Sequence, residues 1–459
     1  MAIKVSCTCG KTISAKDEFA GRRVKCPACK KPLQIPEADV EEESYEDEWD
    51  LDDYGEEEAD SQPVRPRRKN RSTKSKSRKG GRKSASSSSN LLIGLSAGGG
   101  ILLVVVLVWM LWPSEPDGNV ANSSTDAEMG ESTDAVAAIE EMGGKVTFDD
   151  MVPGKPVVGV ELSNSKLVTD ASLVHFKGLT SLETLYLGNT KVTDAGLEHL
   201  KELTSLQGIS LTRTGVTGTG LVHLKGMTNL QNLFVGGTNF TDAGLAHLKG
   251  ITSLKTLDLV YCQEFTDAGL VHLNGLTSLQ TLRLAHTLLT GSGLKHLKQL
   301  PSLQSLDLGG TPVTDASLEH LKGLTSLESL VLPSRTTNAG LGQLKGLTNL
   351  QTLELISTGV TDAGLVHLKG MTNLQTLNLN NTGVTDAGLE HLKELTSLQS
   401  LNLHRSKITD AGLEHLKGLT SLESLLLSNT KVTSAGVKHL QTALPKCKIL
   451  KGNFKVNLN

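Results

Sequence analysis

From Val157 to the C-terminus the apolar positions fall on a fixed beat. Residues Leu182–Ser205, LETLYLGNTKVTDAGLEHLKELTS, contain one full period. Leu182, Leu185 and Leu187 follow L-x-x-L-x-L, and the last two alternate as a short strand does, both facing one way. Thr190 and Val192 continue inward as the chain turns. Thr193 or Asp194 can cap a short helix, because either side chain can accept from a free backbone N–H. Leu197 and Leu200 lie one turn apart on one helical face, and Leu203 closes the coil. The phrase T-D-A-G-L marks the register. Its first residue falls at Thr169, Thr193, Thr217, Thr241, Thr266, Thr290, Thr314, Thr337, Thr361, Thr385, Thr409 and Thr433, at intervals of 24 residues except one of 25 and one of 23. A period of this length predicts stacked units, each too small to bury its own apolar side. Burying a large side chain contributes roughly 1.5–3 kcal/mol, so a stack outweighs the entropy of ordering it where a lone coil does not.

These leucine positions over Val157–Leu450, with the phrase T-D-x-G-L, resemble the leucine-rich repeat family. They are most similar to the cysteine-containing repeats of F-box ubiquitin-ligase adaptors. Where that subclass carries Cys after the strand, this chain has Thr190, Thr214, Thr238, Thr287, Thr311, Thr358, Thr382 and Thr430, with Cys only at Cys262. The resemblance implies an α/β solenoid: a curved horseshoe with parallel strands on the concave side and short helices on the convex side.

The ends of such a stack need covers. Asp134–Met142 reads as a helix with Val136 and Ile139 inward and Gly143-Gly144 as its stop, and Lys145–Phe148 reads as a strand. Residues 133–156 are therefore the expected N-terminal cap, and 157–459 the repeats with a C-terminal cap. Cys447–Leu450 is expected to add the last strand.

Upstream the pattern changes four times. Residues 1–36 hold Cys7, Cys9, Cys26 and Cys29, two thiol pairs that suit tetrahedral zinc and resemble a short zinc ribbon. The first pair is C-x-C where such ribbons have C-x-x-C, and a disulfide pair or a metal-free tail is the competing reading. Residues 37–90 form a linker expected to be disordered, acidic over Glu37–Asp60 and basic over Arg65–Lys83. Leu91–Trp112 carries no charge over 22 residues, enough for a membrane-spanning helix of about 33 Å. Eleven Lys or Arg precede it in Arg65–Lys83, against Glu115 and Asp117 after it. That asymmetry predicts a cytoplasmic N-terminus and extracytoplasmic repeats. The basic block is placed to meet anionic headgroups; phosphate neutralisation by nucleic acid is the alternative. Residues 113–132 read as a polar linker.

Composition narrows the chemistry. The net charge of −3 excludes a globally basic nucleic-acid binder, and only 3% of residues are aromatic. No Gly-x-Ser-x-Gly elbow, phosphate loop or dinucleotide fingerprint stands out, so the chain is not expected to be an enzyme. A histidine ladder recurs at His175, His199, His223, His247, His272, His296, His320, His367, His391, His415 and His439. Each lies between the two inward leucines of its helix and reads as a lateral spacer. Rings stacked this way are expected to lose stability together below about pH 6.

What varies from coil to coil is more informative. The outward strand positions run Glu161, Tyr186, Ser210, Phe234, Asp258, Arg283, Asp307, Val331, Glu354, Asn378, Asn402 and Leu426, with Arg213, Tyr261, His286, His404 and Arg405 beside them. Aromatic residues and arginine are the types that interfaces enrich. Tyr186, Arg213, Phe234, Asp258, Tyr261, Arg283, His286 and Asp307 are thus the candidate partner-binding residues. The combination of ribbon, anchor and repeats resembles bacterial envelope proteins, and implies a membrane-anchored protein that binds a protein or other macromolecule on its concave face. A cytoplasmic regulator using the ribbon and basic segment on nucleic acid, and an adaptor akin to the F-box proteins, are the alternatives.

Overall fold

The computed structural model describes the backbone of residues 2–6, 12–16, 23–25, 32–34 and 126–452, and side chains from residue 133 to 452. It divides into two units, 1–113 and 114–459. In the first unit, β1 (Ala2–Ser6) pairs antiparallel with β2 (Thr12–Lys16), and β3 (Arg23–Lys25) pairs antiparallel with β4 (Pro32–Gln34). The expected zinc-binding cysteines Cys7, Cys9, Cys26 and Cys29, the charged linker and the apolar run 91–112 lie outside the described residues. Among the described residues no helix is long and apolar enough to cross a membrane.

The second unit opens with α1 (Asp126–Glu141), which begins inside the stretch expected to be a polar linker. Alanine, glutamate and methionine in DAEMGESTDA favour helix strongly enough to extend it backward. Ala135 and Ile139, one turn apart, are its buried pair, and Val136 packs at the margin of the core. The helix stops as predicted. Gly143 adopts φ +79°, its N–H donates to Glu140 O, and Gly144 N–H reaches back to Ile139 O. Then β5 (Lys145–Phe148) pairs antiparallel with β6 (Val157–Glu161), covering the first edge.

From β6 onward every pairing is parallel. The strands are β7 (Thr184–Tyr186), β8 (Gly208–Ser210), β9 (Asn232–Phe234), β10 (Thr256–Asp258), β11 (Thr281–Arg283), β12 (Ser305–Asp307), β13 (Ser329–Val331), β14 (Thr352–Glu354), β15 (Thr376–Asn378), β16 (Ser400–Asn402), β17 (Ser424–Leu426) and β18 (Lys448–Leu450). They follow chain order in one 14-stranded sheet. Each returns through a short 3₁₀ or α segment, and the last return is the longer helix Ser434–Ala443. From β7 to β17 the central residue of each strand is leucine, or isoleucine in β8, and it points inward and meets those of its neighbours, as in Leu257, Leu282, Leu306 and Leu330. Leu182, Leu185, Leu187, Val192, Leu197, Leu200 and Leu203 are all buried, so the coil packs as its spacing predicts.

The threonine that replaces cysteine has a local task. Thr190 Oγ1 donates to Leu187 O at 2.7 Å, and Thr214, Thr238, Thr287, Thr311, Thr358, Thr382 and Thr430 repeat that bond to the residue three before. A buried hydroxyl is thereby satisfied where the strand ends. Cys262 instead donates across coils to Val235 O at 3.3 Å. Cys262 and Cys447 are separate buried thiols, and burial pushes Cys447 up to about 11.

The T-D-x-G phrase works mainly between coils. Asp170 accepts from Thr193 N at 2.7 Å and Thr193 Oγ1 at 2.6 Å, one coil ahead. Asp194, Asp242, Asp267, Asp315, Asp362, Asp386 and Asp410 clasp the next threonine in the same way, and Asn338 does so with its amide. The threonine hydroxyl caps its own helix less tightly, accepting from Ala195 N at 3.3 Å and Ala411 N at 3.2 Å. The glycine makes room for the clasp: a Cβ at Gly388 or Gly412 would collide with Oδ1 of Asp362 or Asp386. Two coils lack it, because Gly218 and Gly291 stand in the aspartate position at φ +99° and +107°.

Candidate binding face

The ladder register aligns the predicted outward column side by side. Glu161, Tyr186, Ser210, Phe234, Asp258, Arg283, Asp307, Val331, Glu354, Asn378, Asn402 and Leu426 are successive partners across β6–β17. Since the leucine beside each points into the core, these side chains stand on the opposite, open face of the sheet.

Its centre is electrostatically organised. Arg283 Nη1 meets Asp258 Oδ2 at 2.8 Å, while its Nε lies 3.9 Å from Asp307 Oδ2. Asp258 is 8% exposed, and its other oxygen accepts from Val260 N at 2.9 Å. It is thus fixed by its own backbone and pairs with the guanidinium through its second oxygen. Burial pushes Asp307 above the usual carboxylate range; the Gly309 N–H and Arg283 oppose this, and Asp258 adds to it. Tyr186 and Phe234 are half-buried on the N-terminal side, and burial followed by Glu161 raises the Tyr186 hydroxyl.

Arg213, Tyr261 and His286 do not share that column. They occupy a second row, three residues past the strand ends from β6 to β17 with the exception of β13, where the backbone turns left-handed. The row runs Asn164, Asn189, Arg213, Gly237, Tyr261, His286, Gly310, Ser357, Asn381, Arg405 and Asn429, all with φ between +53° and +68°. Asparagine and glycine tolerate this conformation; for other L-residues it costs roughly 1–2 kcal/mol. Tyr261 and His286 nevertheless stand there exposed, and their rings stack at 4.3 Å centroid distance and 7° between planes. The glycines next in the row leave space for their neighbours. A Cβ at Gly310 would strike the His286 ring, and one at Gly237 would stand 3.0 Å from Arg213 Cγ. Arg213 lies over Gly237, and His286 lies over Gly310.

The structure therefore brings the predicted residues into two adjoining rows, with Asp258 supporting Arg283. Sequence spacing did not reveal the left-handed row. The alternation of Asn and Gly at Asn189, Gly237, Gly310, Asn381 and Asn429 is the signal that could have found it. The histidine ladder lies away from this face, and most of its rings are half-buried between helices. Burial, then Lys345, holds His367 below the ordinary imidazole value.

Comparison with known proteins agrees with this architecture. Two sequence profiles, both described as leucine-rich repeat, match residues 252–313 and 372–432 in one case and 178–201 in the other. Over those residues the second unit is similar to leucine-rich repeat proteins. Among solved structures the chain is similar to an internalin from Listeria monocytogenes, at 21% identity and TM-score 0.49, over 71% of this chain and 94% of that one. It is also similar to a leucine-rich repeat protein from Leptospira interrogans, at 21% identity and TM-score 0.44, over 60% of this chain and 74% of that one. No curated protein sequence matches it.

Proposed function

We propose that the repeats bind a protein partner on the open sheet face, through Tyr186, Phe234 and Arg283 in the strand row and Arg213, Tyr261 and His286 in the left-handed row. The observation that carries this reading is the second row. Strained, exposed aromatic and cationic residues stand where asparagine or glycine would cost less, and strain of this kind collects at functional sites. Asp258 and Asp307 flank Arg283 and fix its guanidinium on this face, where its remaining N–H groups can donate to a partner carbonyl.

In this reading Leu91–Trp112 anchors the chain, with the repeats outside the cell and the basic block against anionic lipid. The thiols of Cys7, Cys9, Cys26 and Cys29 hold a structural zinc. The hairpins β1–β2 and β3–β4 support the zinc assignment, because each thiol pair falls in sequence between the strands of one hairpin. Four thiolates are the donor set that zinc favours.

The binding experiment compares wild-type chain with a Tyr186→Ala, Phe234→Ala, Arg283→Ala variant, both shown folded by circular dichroism. A polypeptide crosslinked to the wild type and lost from the variant is the expected result; equal crosslinking rejects the face. Protease digestion of intact cells tests orientation independently, since extracytoplasmic repeats are cleaved and cytoplasmic ones are protected.

A further inference from the structure

Beyond Asp307 the face runs short of donors. Glu354, two strands on, is 8% exposed, and its Oε2 has no hydrogen-bond partner. Asn380 Oδ1, on the next coil, is likewise buried without one. Burial raises the Glu354 carboxyl; the Asn378 amide offsets part of this, and Asp307 adds to it. The two carboxylates thus feel each other across Val331. Arg283 is committed to Asp258 at 2.8 Å and meets Asp307 only at 3.9 Å. That one guanidinium serves Asp258 and Asp307, and among the described residues no cationic side chain pairs with Glu354. A buried acceptor without a donor costs on the order of 1–3 kcal/mol, more when charged, so this surface is unfinished as it stands.

We infer that Asp307 and Glu354 receive a lysine or arginine side chain of the partner polypeptide, its cationic head between them and its aliphatic stem on Val331 and Ile356. The inference deepens the binding reading above and rests on it. Val331 is half-exposed and Ile356 is 44% exposed, so the floor is apolar where a methylene stem would lie. Two strand spacings separate Asp307 from Glu354, about 10 Å at the backbone. That width suits a cation with several N–H donors better than a bare metal ion. Among the described residues no group of three or more His, Cys, Asp or Glu is placed to hold a metal.

The test uses the full chain in detergent and an N-acetylated lysine-rich peptide, with carbodiimide coupling to mark the carboxylates it touches. Coupling is expected at Asp307 and Glu354. An Asp307→Asn, Glu354→Gln variant should lose that site and bind the peptide at least about tenfold more weakly there. Without peptide the variant should melt no lower than wild type, because uncompensated charge has been removed; a purely structural pair would melt lower and leave peptide binding unchanged. Coupling confined to the acidic stretch Glu37–Asp60, or competition by calcium at lower concentration than peptide, overturns the inference. A Tyr261→Asn, His286→Asn variant that loses the partner but keeps peptide coupling would show the left-handed row and the cation site failing or holding separately.

Discussion

The left-handed row ties conformational strain to binding at single residues. Replacing Tyr261 and His286 by asparagine relieves a backbone cost of roughly 1–2 kcal/mol each and gives up a ring stack of about 0.5–1.5 kcal/mol. The double variant is expected to melt above wild type while losing its partner, and thermal melts with the crosslinking assay read both. The clasp glycines behave in the opposite sense. Gly412→Ala drives a methyl into Asp386 and should cost about 1–3 kcal/mol in urea melts. Gly346→Ala meets nothing within 4 Å and should be neutral or slightly stabilising.

One coil is held to the next by leucines, backbone bonds and the Asp–Thr clasp. Burial raises Asp194, but bonds from Thr217, Gly220 and Thr219 outweigh it and leave the carboxyl below its usual value; Asp267 is held down in the same way. A carboxylate depressed by folding contributes stability above its unfolded value, and that stability is lost as pH falls through the folded one. Melting temperature should therefore drop as pH falls from about 4 toward 2, and Asp194→Asn should flatten the drop. His367 adds a smaller loss at higher pH: its lowered value means the unfolded ring protonates first, so stability declines as pH falls below about 6.5. The coil itself was legible in the sequence, because leucine spacing alone decides which side chains share the interior. The clasp was not, since Asp170 and Thr193 meet across a whole coil, and local reading assigned both residue types to capping. The pairing of Asp258 with Arg283 escaped for the same reason. The backward extension of α1 to Asp126 escaped for another: its polar first turns carry helix propensity without an apolar stripe.

For the whole molecule, α1 and β5 are expected to protect the first coil, because β5 occupies the edge that β6 would otherwise expose. Deleting residues 126–148 should leave a chain that aggregates on refolding, as light scattering would report. The two coils without a clasp matter at this scale as well. At Gly218 the following Thr241 turns to the Thr217 carbonyl, and beyond Gly291 it is Ser317 that reaches Thr290 O. Between these two joints lie Phe234, Tyr261, Arg283 and His286. The sheet runs unbroken through both seams, so the partner-facing residues between them are expected to keep their mutual spacing even where amide exchange is faster at Gly218 and Gly291.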